Sequence, residues 1–240
     1  MLCEAHLYSG LSSDQVCEVR GMISKNYYDE GEILFQQGQE SEYLHIVRDG
    51  LVKLSISDAG GNEQIIGLCV MGHVVGFDSL GDNRHAYTAQ TLIPTVTCSA
   101  KQSDMLNVYD QNPNVARKTI QLLNQELTYA QNLIHALGQK SSTEKVALLI
   151  LSLIPPGSID RGVIDLPLPL SRKEIAQFLG LTIETVSRLI TDLKKRKIVE
   201  PKRGMMRILD MELLKEIAGI GSASITDSLK VITADRRAAS

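Results

Sequence analysis

One stretch constrains the chain more than any other: residues 171–199, SRKEIAQFLGLTIETVSRLITDLKKRKIV. Its apolar residues recur at helical spacing in two runs, with a break at Gly180. Ser171 precedes Ile175, Ala176 and Leu179, and Glu174 follows the serine by three residues, the pattern of a capping box. Gly180 can close the first helix in a left-handed conformation that other residues avoid. Thr182 can cap the second helix, whose Val186, Leu189, Ile190 and Leu193 share one side. Small Ala176 and branched Val186 allow the close crossing of a helix-turn-helix. The opposite face of the second helix carries Glu184, Ser187 and Arg188, with Ile183 at its start. Arginine can grip guanine, glutamate can accept from the cytosine amine, serine adapts to either, and isoleucine can pack a thymine methyl. Those residue types, so placed, imply a reader of double-stranded DNA.

A structural hairpin could share the apolar spacing, with Glu184 and Arg188 as an i,i+4 surface pair worth a few tenths of a kcal/mol. Charge weighs against that plainer reading. Residues 168–215 carry eleven Lys/Arg and six Asp/Glu, formally +5, whereas residues 1–167 carry eleven and nineteen, formally −8. A basic end on an acidic protein points to a face for phosphates. Lys194, Lys195, Arg196 and Lys197 follow the second helix. Lys202 and Arg203 sit in a turn expected between two short strands, Lys197–Val199 and Met206–Leu209, as in the wing of a winged helix. Contacts to the DNA backbone are expected from Ser171, Arg172, Thr182, Lys194, Lys195, Lys202 and Arg203.

The first hundred residues carry a different period. Short runs at Ile33–Phe35, Tyr43–Val47, Leu51–Ile56, Ile65–Val70 and His73–Phe77 alternate with turns at Gly31, Gly38, Asp49-Gly50, Gly60-Gly61 and Met71-Gly72. Short strands at regular spacing imply a β-roll or barrel. Residues 112–137 return to a helical period. Ile120, Leu123, Leu127, Ala130, Ile134 and Leu137 step by 3 and 4 in turn, a heptad seam, and small Ala130 would let two such helices approach. A homodimer is the expectation, since helix-turn-helix readers gain affinity on paired half-sites.

With 240 residues, the chain suggests two compact domains. No run of about 18 apolar residues could span a membrane, and no secretory signal opens the chain, so a cytoplasmic address is expected. There the four cysteines should not form disulfides. His6, His45, His73, His85 and His135 show no metal-like pairing. No nucleophile elbow, P-loop or zinc-protease motif is present. The expectation is a regulator, not an enzyme.

The order of roll, long helix and winged helix-turn-helix resembles the CRP/FNR family of bacterial transcription regulators along residues 20–219, the FNR/FixK branch in particular. Three stretches carry the likeness. The run Glu30, Gly31, Leu34, Phe35 and Gly38, continued by Tyr43-Leu-His-Ile-Val-Arg-Asp-Gly50, resembles the opening of a cyclic-nucleotide-binding domain. Glu63-Gln-Ile-Ile-Gly67 with Val74-Val-Gly-Phe-Asp78 is similar to the FNR branch. Leu181-Thr-Ile-Glu-Thr-Val-Ser-Arg188 resembles the family's recognition helix. The implied fold is α+β: a sensor-like β-roll over 1–111, a dimerisation helix over 112–138, a winged helix-turn-helix over 139–219, and a flexible tail over 220–240.

The resemblance also sets expectations for an effector. Cyclic-AMP receptors of the family hold phosphate with a Gly-Glu pair and an Arg-Ser pair. Here these become Gly76-Phe77 and His85-Ala86, and the hydroxyl pair from the long helix becomes Ala130-Gln131. Without an arginine fork a phosphate loses a charge-assisted contact worth about 1.5–3 kcal/mol, so cyclic-AMP control is not expected, although Arg84 lies one residue upstream of the fork's position. The alternative is an oxygen-labile iron–sulfur cluster. Cys98 and Cys3 match two of its four ligand positions, the other two have no counterpart, and Cys17 and Cys69 read as core residues. The expectation is therefore no cofactor, with a cluster or a heme as the rival switch. The resemblance further implies a TTGA…TCAA palindrome, and contact with RNA polymerase through loops such as Gly76–His85.

Overall fold

In a computed structural model, residues 21–79, 83–154 and 163–219 are described. Contacts divide the chain into two compact units, with the boundary between Leu127 and Thr128.

The first unit is built from two four-stranded antiparallel sheets. One has the order β1-β8-β3-β6, from Ser24–Tyr28 (β1), Tyr43–Asp49 (β3), Val74–Val75 (β6) and Thr95–Lys101 (β8). The other has the order β2-β7-β4-β5, from Ile33–Phe35 (β2), Val52–Ser57 (β4), Glu63–Cys69 (β5) and Thr88–Thr91 (β7). Phe35, Val47, Val52, Cys69, Val75 and Ala89 form one buried cluster that draws on both sheets, so the sheets close face to face over a shared core. The β3–β4 turn fixes their approach. Gly50 has φ +105°, and a Cβ there would lie 2.7 Å from the Thr95 backbone, so glycine alone fits.

Helix α1, Gln102–Gln111, follows β8, and α2, Pro113–Gln139, follows after one residue. Pro113 explains the break: it removes a backbone donor and suits a first helical position. The sequence reading had the long helix begin at Asn112 and did not separate α1. Within the first unit α2 buries Val115 and Thr119. Its seam residues face away, with Ile120 65%, Leu127 56% and Ile134 70% exposed.

The second unit holds α3 (Ser142–Ser152), β9 (Ile164–Pro167), α4 (Arg172–Leu179), α5 (Ile183–Lys195), β10 (Val199–Lys202), β11 (Met205–Ile208) and α6 (Met211–Ile217). The three strands pair antiparallel in the order β10-β11-β9. Leu151, Leu166, Ile175, Ile190, Leu193, Met206 and Leu214 are fully buried, so every helix except the short overhang of α2 contributes to one core. The α+β class and its order of elements agree with the sequence reading, which had passed over β1, β7, β8, β9, α3 and α6.

Two local expectations need correction. The strand expected at Lys197–Val199 begins only at Val199, and Lys202 ends β10, leaving Arg203-Gly204 as the turn. The reason lies at the end of α5. Ile198 N donates to Leu193 O at 3.0 Å and Lys197 N to Lys194 O at 3.0 Å, a Schellman closure whose left-handed position usually holds glycine. Lys197 occupies it with φ +58°. Left-handed backbone costs a non-glycine residue about 1–2 kcal/mol, while a glycine there would cost about 0.4–1 kcal/mol in the unfolded chain. Lys197→Gly should therefore stabilise the protein by up to about 1 kcal/mol, read as a higher urea midpoint at unchanged slope. A lower midpoint would contradict the strain assigned to Lys197.

Candidate nucleic-acid interface

The two helices of the helix-turn-helix are each fixed by a cap. Glu174 N donates to Ser171 Oγ at 3.2 Å and Ser171 N donates to Glu174 Oε2 at 2.8 Å, completing the capping box. Gly180 closes α4 with φ +63°, and nothing lies within 4 Å of a Cβ placed there. The glycine is needed for its backbone, not for space. Thr185 N donates to Thr182 Oγ1 at 3.2 Å, which starts α5. Val186, Ile190 and Leu193 are buried on the inner face, and Leu189 is half-buried beside them. Opposite them Ile183, Glu184 and Arg188 are exposed and Ser187 is half-exposed. The four proposed base readers thus share one outward face. Glu184 and Arg188 form no ion pair among the described residues, so the surface-pair alternative is not realised. Thr191, which the sequence reading missed, lies one turn beyond Ser187 on that face and donates its hydroxyl to Ser187 O at 2.7 Å.

The basic residues divide into paired and unpaired sets, which composition could not reveal. Arg207 makes a bidentate pair with Asp165 at 2.7 and 2.8 Å. This link holds β11 to β9, and it keeps the Asp165 carboxyl below its usual range and the Arg207 guanidinium above its own. Lys215 is tied to Glu212 at 2.6 Å, Arg196 lies 3.9 Å from Asp192, and Lys202 lies 3.8 Å from Glu200. Among the described residues, Arg172, Lys173, Arg188, Lys194, Lys195, Lys197 and Arg203 have no acidic partner. Among the described residues, Lys202 is therefore the one cationic side chain proposed for phosphate contact that has a carboxylate beside it. Arg203 stands at the wing tip, where Gly204 takes φ +68°. Ser171 and Thr182 are exposed at their caps, and Arg172 is half-buried.

Along α2 the six seam residues divide by exposure. Ile120, Leu127, Ala130 and Ile134 are exposed, while Leu123 and Leu137 are half-buried. Sequence gave no sign of the role of Glu126. His73 Nδ1 lies 3.1 Å from Glu126 Oε2, and Val74 N donates to Glu126 Oε1 at 3.2 Å. His73 is 1% exposed. One carboxylate of α2 is thereby held by two groups of the β5–β6 turn, which sets the helix's rotation and points the apolar stripe outward.

Among the described residues, the surroundings of His85 in the roll supply no guanidinium for a cyclic nucleotide. His85 is buried and stacks on Phe35 with ring centroids 3.6 Å apart. Asp78 Oδ2 accepts from Ala86 N at 2.6 Å, and Asp78 Oδ1 lies 3.6 Å from His85 Nδ1. Arg84 is exposed and turned outward, donating to Gly38 O at 2.8 Å with Glu40 at 3.8 Å. A phosphate entering here would meet the Asp78 carboxylate in place of a guanidinium, so the residues do not fit that ligand. The described residues hold part of what a four-thiolate cluster would take. Only Cys69 and Cys98 fall among them, both buried, and no three His, Cys, Asp or Glu side chains gather there as for a metal ion. Burial pushes the Cys69 thiol well up. Cys3 and Cys17, like the tail over 220–240 and residues 80–82 of the Gly76–His85 loop, lie outside the described residues.

Comparison with known proteins accords with this architecture. The cyclic nucleotide-binding domain family matches residues 25–112, and the Crp-like helix-turn-helix domain family matches residues 144–217. The fumarate nitrate reduction regulatory protein of Klebsiella oxytoca is 30% identical over 208 residues, covering 86% of this chain and 81% of that protein. Its counterpart from Vibrio cholerae is 30% identical over 213 residues, covering 88% and 83%. The solved structure of FixK2 from Bradyrhizobium japonicum aligns with a TM-score of 0.71 at 26% identity, covering 83% of this chain and 99% of that one. Among the described residues, no helix is long and apolar enough to cross a membrane.

The buried histidines of the roll make its stability depend on pH. Burial, with His85 nearby, pushes His45 down to about 4, and burial lowers His85 as well. The unfolded chain takes up these protons first as pH falls. The stabilisation is thus complete above the ordinary histidine value near 6.5 and is lost from there down through about 4. Wild type should lose about 2 kcal/mol of unfolding free energy between pH 7 and pH 5 from His45 alone. In His45→Leu, denaturant titrations at the two pH values should show a clearly smaller loss. An equal loss in both proteins would place the titrating group elsewhere.

Proposed function

The chain belongs to the CRP/FNR family of DNA-binding transcription regulators, and we propose that it works as a homodimer on a TTGA…TCAA-type palindrome, with neither cyclic nucleotide nor metal as a required effector. One observation carries the proposal: Ile183, Glu184, Ser187 and Arg188 share the outward face of α5, and among the described residues neither charged group is occupied by an ion pair. On this reading Arg188 takes guanine O6 and N7, Glu184 accepts from the paired cytosine amine, Ser187 meets a neighbouring base edge, and Ile183 packs a thymine methyl. Each good bidentate contact contributes about 1–3 kcal/mol of discrimination. Lys194, Lys195 and Arg203, with Ser171, Arg172, Thr182 and Lys202, supply the phosphate contacts that position the helix.

The exposed stripe on α2 supports pairing through Ile120, Leu123, Leu127, Ala130, Ile134 and Leu137. An isolated chain would leave these side chains in water, and each large one gains about 1.5–3 kcal/mol on full burial. No charged residue sits within the stripe, so nothing repels a second copy. The Asp78 carboxylate and outward Arg84 support independence from cyclic nucleotides. Contact with RNA polymerase, including through residues 76–85, follows from family likeness. A second reading, a redox-switched regulator, draws on the names of the similar proteins and on Cys98, whose Sγ lies 3.7 Å from Arg48 Nη1.

Gel-shift titrations in air with metal-free protein test the whole proposal. Wild type should bind the palindrome, whereas binding confined to an anaerobic, iron-reconstituted sample would favour the redox reading. Arg188→Ala should cost about 1–3 kcal/mol on the palindrome and flatten base preference at the guanine. Lys195→Ala should weaken all sequences alike and lower the salt slope by about one. Full palindrome preference in Arg188→Ala would show that the register of α5 is wrong. In the seam, Ile134→Asp places a charge against its symmetry mate, where it must be desolvated. It should yield folded monomers by analytical ultracentrifugation, and a dimeric variant would remove α2 as the interface.

A further inference from the structure

Thr191 stands on the outward face of α5 beside the residues proposed to read bases, and its two γ branches have different surroundings. Its hydroxyl donates to Ser187 O at 2.7 Å, the bond to a carbonyl one turn back that threonine makes inside helices. The hydroxyl is thereby committed to the helix's own backbone. Thr191 is nonetheless exposed, so its γ-methyl is the group left for a partner. At about 100° per residue, Thr191 lies about 50° from the direction opposite the buried Val186, Ile190 and Leu193, nearer to it than Ser187 at about 90°. Thr191 follows Arg188 by three residues and Ser187 by four, spacings that make helix neighbours with Cβ atoms about 5–6 Å apart. Ile183 lies at the other end of the reading face, before Arg188 in the chain.

We infer that Thr191 is a further specificity residue: its γ-methyl packs against the 5-methyl of a thymine in the base pair next to the guanine of Arg188, on the side away from the thymine of Ile183. The inference rests on the DNA-reading proposal above. Base pairs succeed one another at about 3.4 Å, and three residues advance a helix by about 4.5 Å, so Thr191 stands beside the pair adjacent to that guanine. In a TTGA half-site the guanine is flanked by a T·A pair on one side and an A·T pair on the other. Either pair presents a thymine 5-methyl in the major groove, a group against which a threonine methyl packs. Cytosine at that position has no methyl to meet, so the contact selects thymine. The bond to Ser187 O also holds the threonine in one rotamer before DNA arrives, so little side-chain freedom is lost on binding.

The test uses the full chain in competition gel shifts on the palindrome, with uracil replacing thymine at one symmetric pair of positions at a time. Uracil keeps every hydrogen-bonding group of thymine and lacks only the 5-methyl. Wild type should lose about tenfold in affinity at the positions met by Thr191, since one methyl contact disappears from each half-site. Thr191→Ser keeps the hydroxyl bond and removes the methyl. It should lose about tenfold on thymine DNA and become indifferent to uracil at that one pair of positions. Thr191→Val keeps a methyl and removes the hydroxyl, and it should stay within about twofold of wild type and remain sensitive to uracil there. A structural role for the hydroxyl bond would reverse the order of the two variants and overturn the proposal. Equal uracil sensitivity of wild type and Thr191→Ser at every position would also overturn it, while palindrome preference in wild type that Arg188→Ala loses would leave the DNA-reading proposal standing. Absence of palindrome preference in wild type would remove both.

Discussion

Burial of one face of α5 is the constraint on which the rest of the second unit depends. Val186, Ile190 and Leu193 are almost wholly removed from water, and α5 packs against α3, α4 and β10. At about 1.5–3 kcal/mol for each large side chain, those contacts fix the helix's rotation far more firmly than any surface charge could. Once the inner face is fixed, the outer face is fixed with it, and Glu184, Ser187 and Arg188 must point outward together. The caps at Ser171, Gly180 and Thr182 add the helix boundaries, so the side chains proposed to read bases stand on an element with a defined start. Precision of that order is what base recognition needs, since a bidentate contact is lost by a small displacement.

The same logic governs α2, by a different device. There the inner face is anchored by Val115 and Thr119 near the start and by the Glu126 carboxylate further along, held by His73 and Val74. On this helix the Glu126 carboxylate faces inward, while Ile120, Leu127 and Ile134 face outward. That inversion is unfavourable for an isolated chain and sensible for one that pairs.

The roll shows how a shared scaffold can change its chemistry. Its sheets, turns and Gly50 contact serve closure, while its interior carries Phe35, His45, Asp78, His85 and Tyr87 where an anion would need guanidinium groups. Buried histidines of lowered basicity and a tyrosine whose hydroxyl burial pushes up make a packed interior.

Local physics made the helix-turn-helix legible in the sequence. Capping needs a serine or threonine and an acid at fixed offsets, the turn needs glycine, and period 3.6 marks the buried side, all within thirty residues. The heptad of α2 and the glycine turns of the roll were legible for the same reason. Strands β1, β7, β8 and β9 were not, because their identity depends on partners far along the chain, as in the pairing of Lys25 with Cys98. Lys197 was misread because a Schellman closure usually advertises itself with glycine, and here the buried Leu193 and Ile198 hold a lysine in that conformation. Counting charges found the basic end, but only the fold showed that Asp165 neutralises Arg207 while Arg188 and Lys195 have no acidic partner among the described residues. Composition sets how many charges a chain has; tertiary structure sets which of them meet, because Coulomb attraction acts over a few ångströms and not over sequence distance.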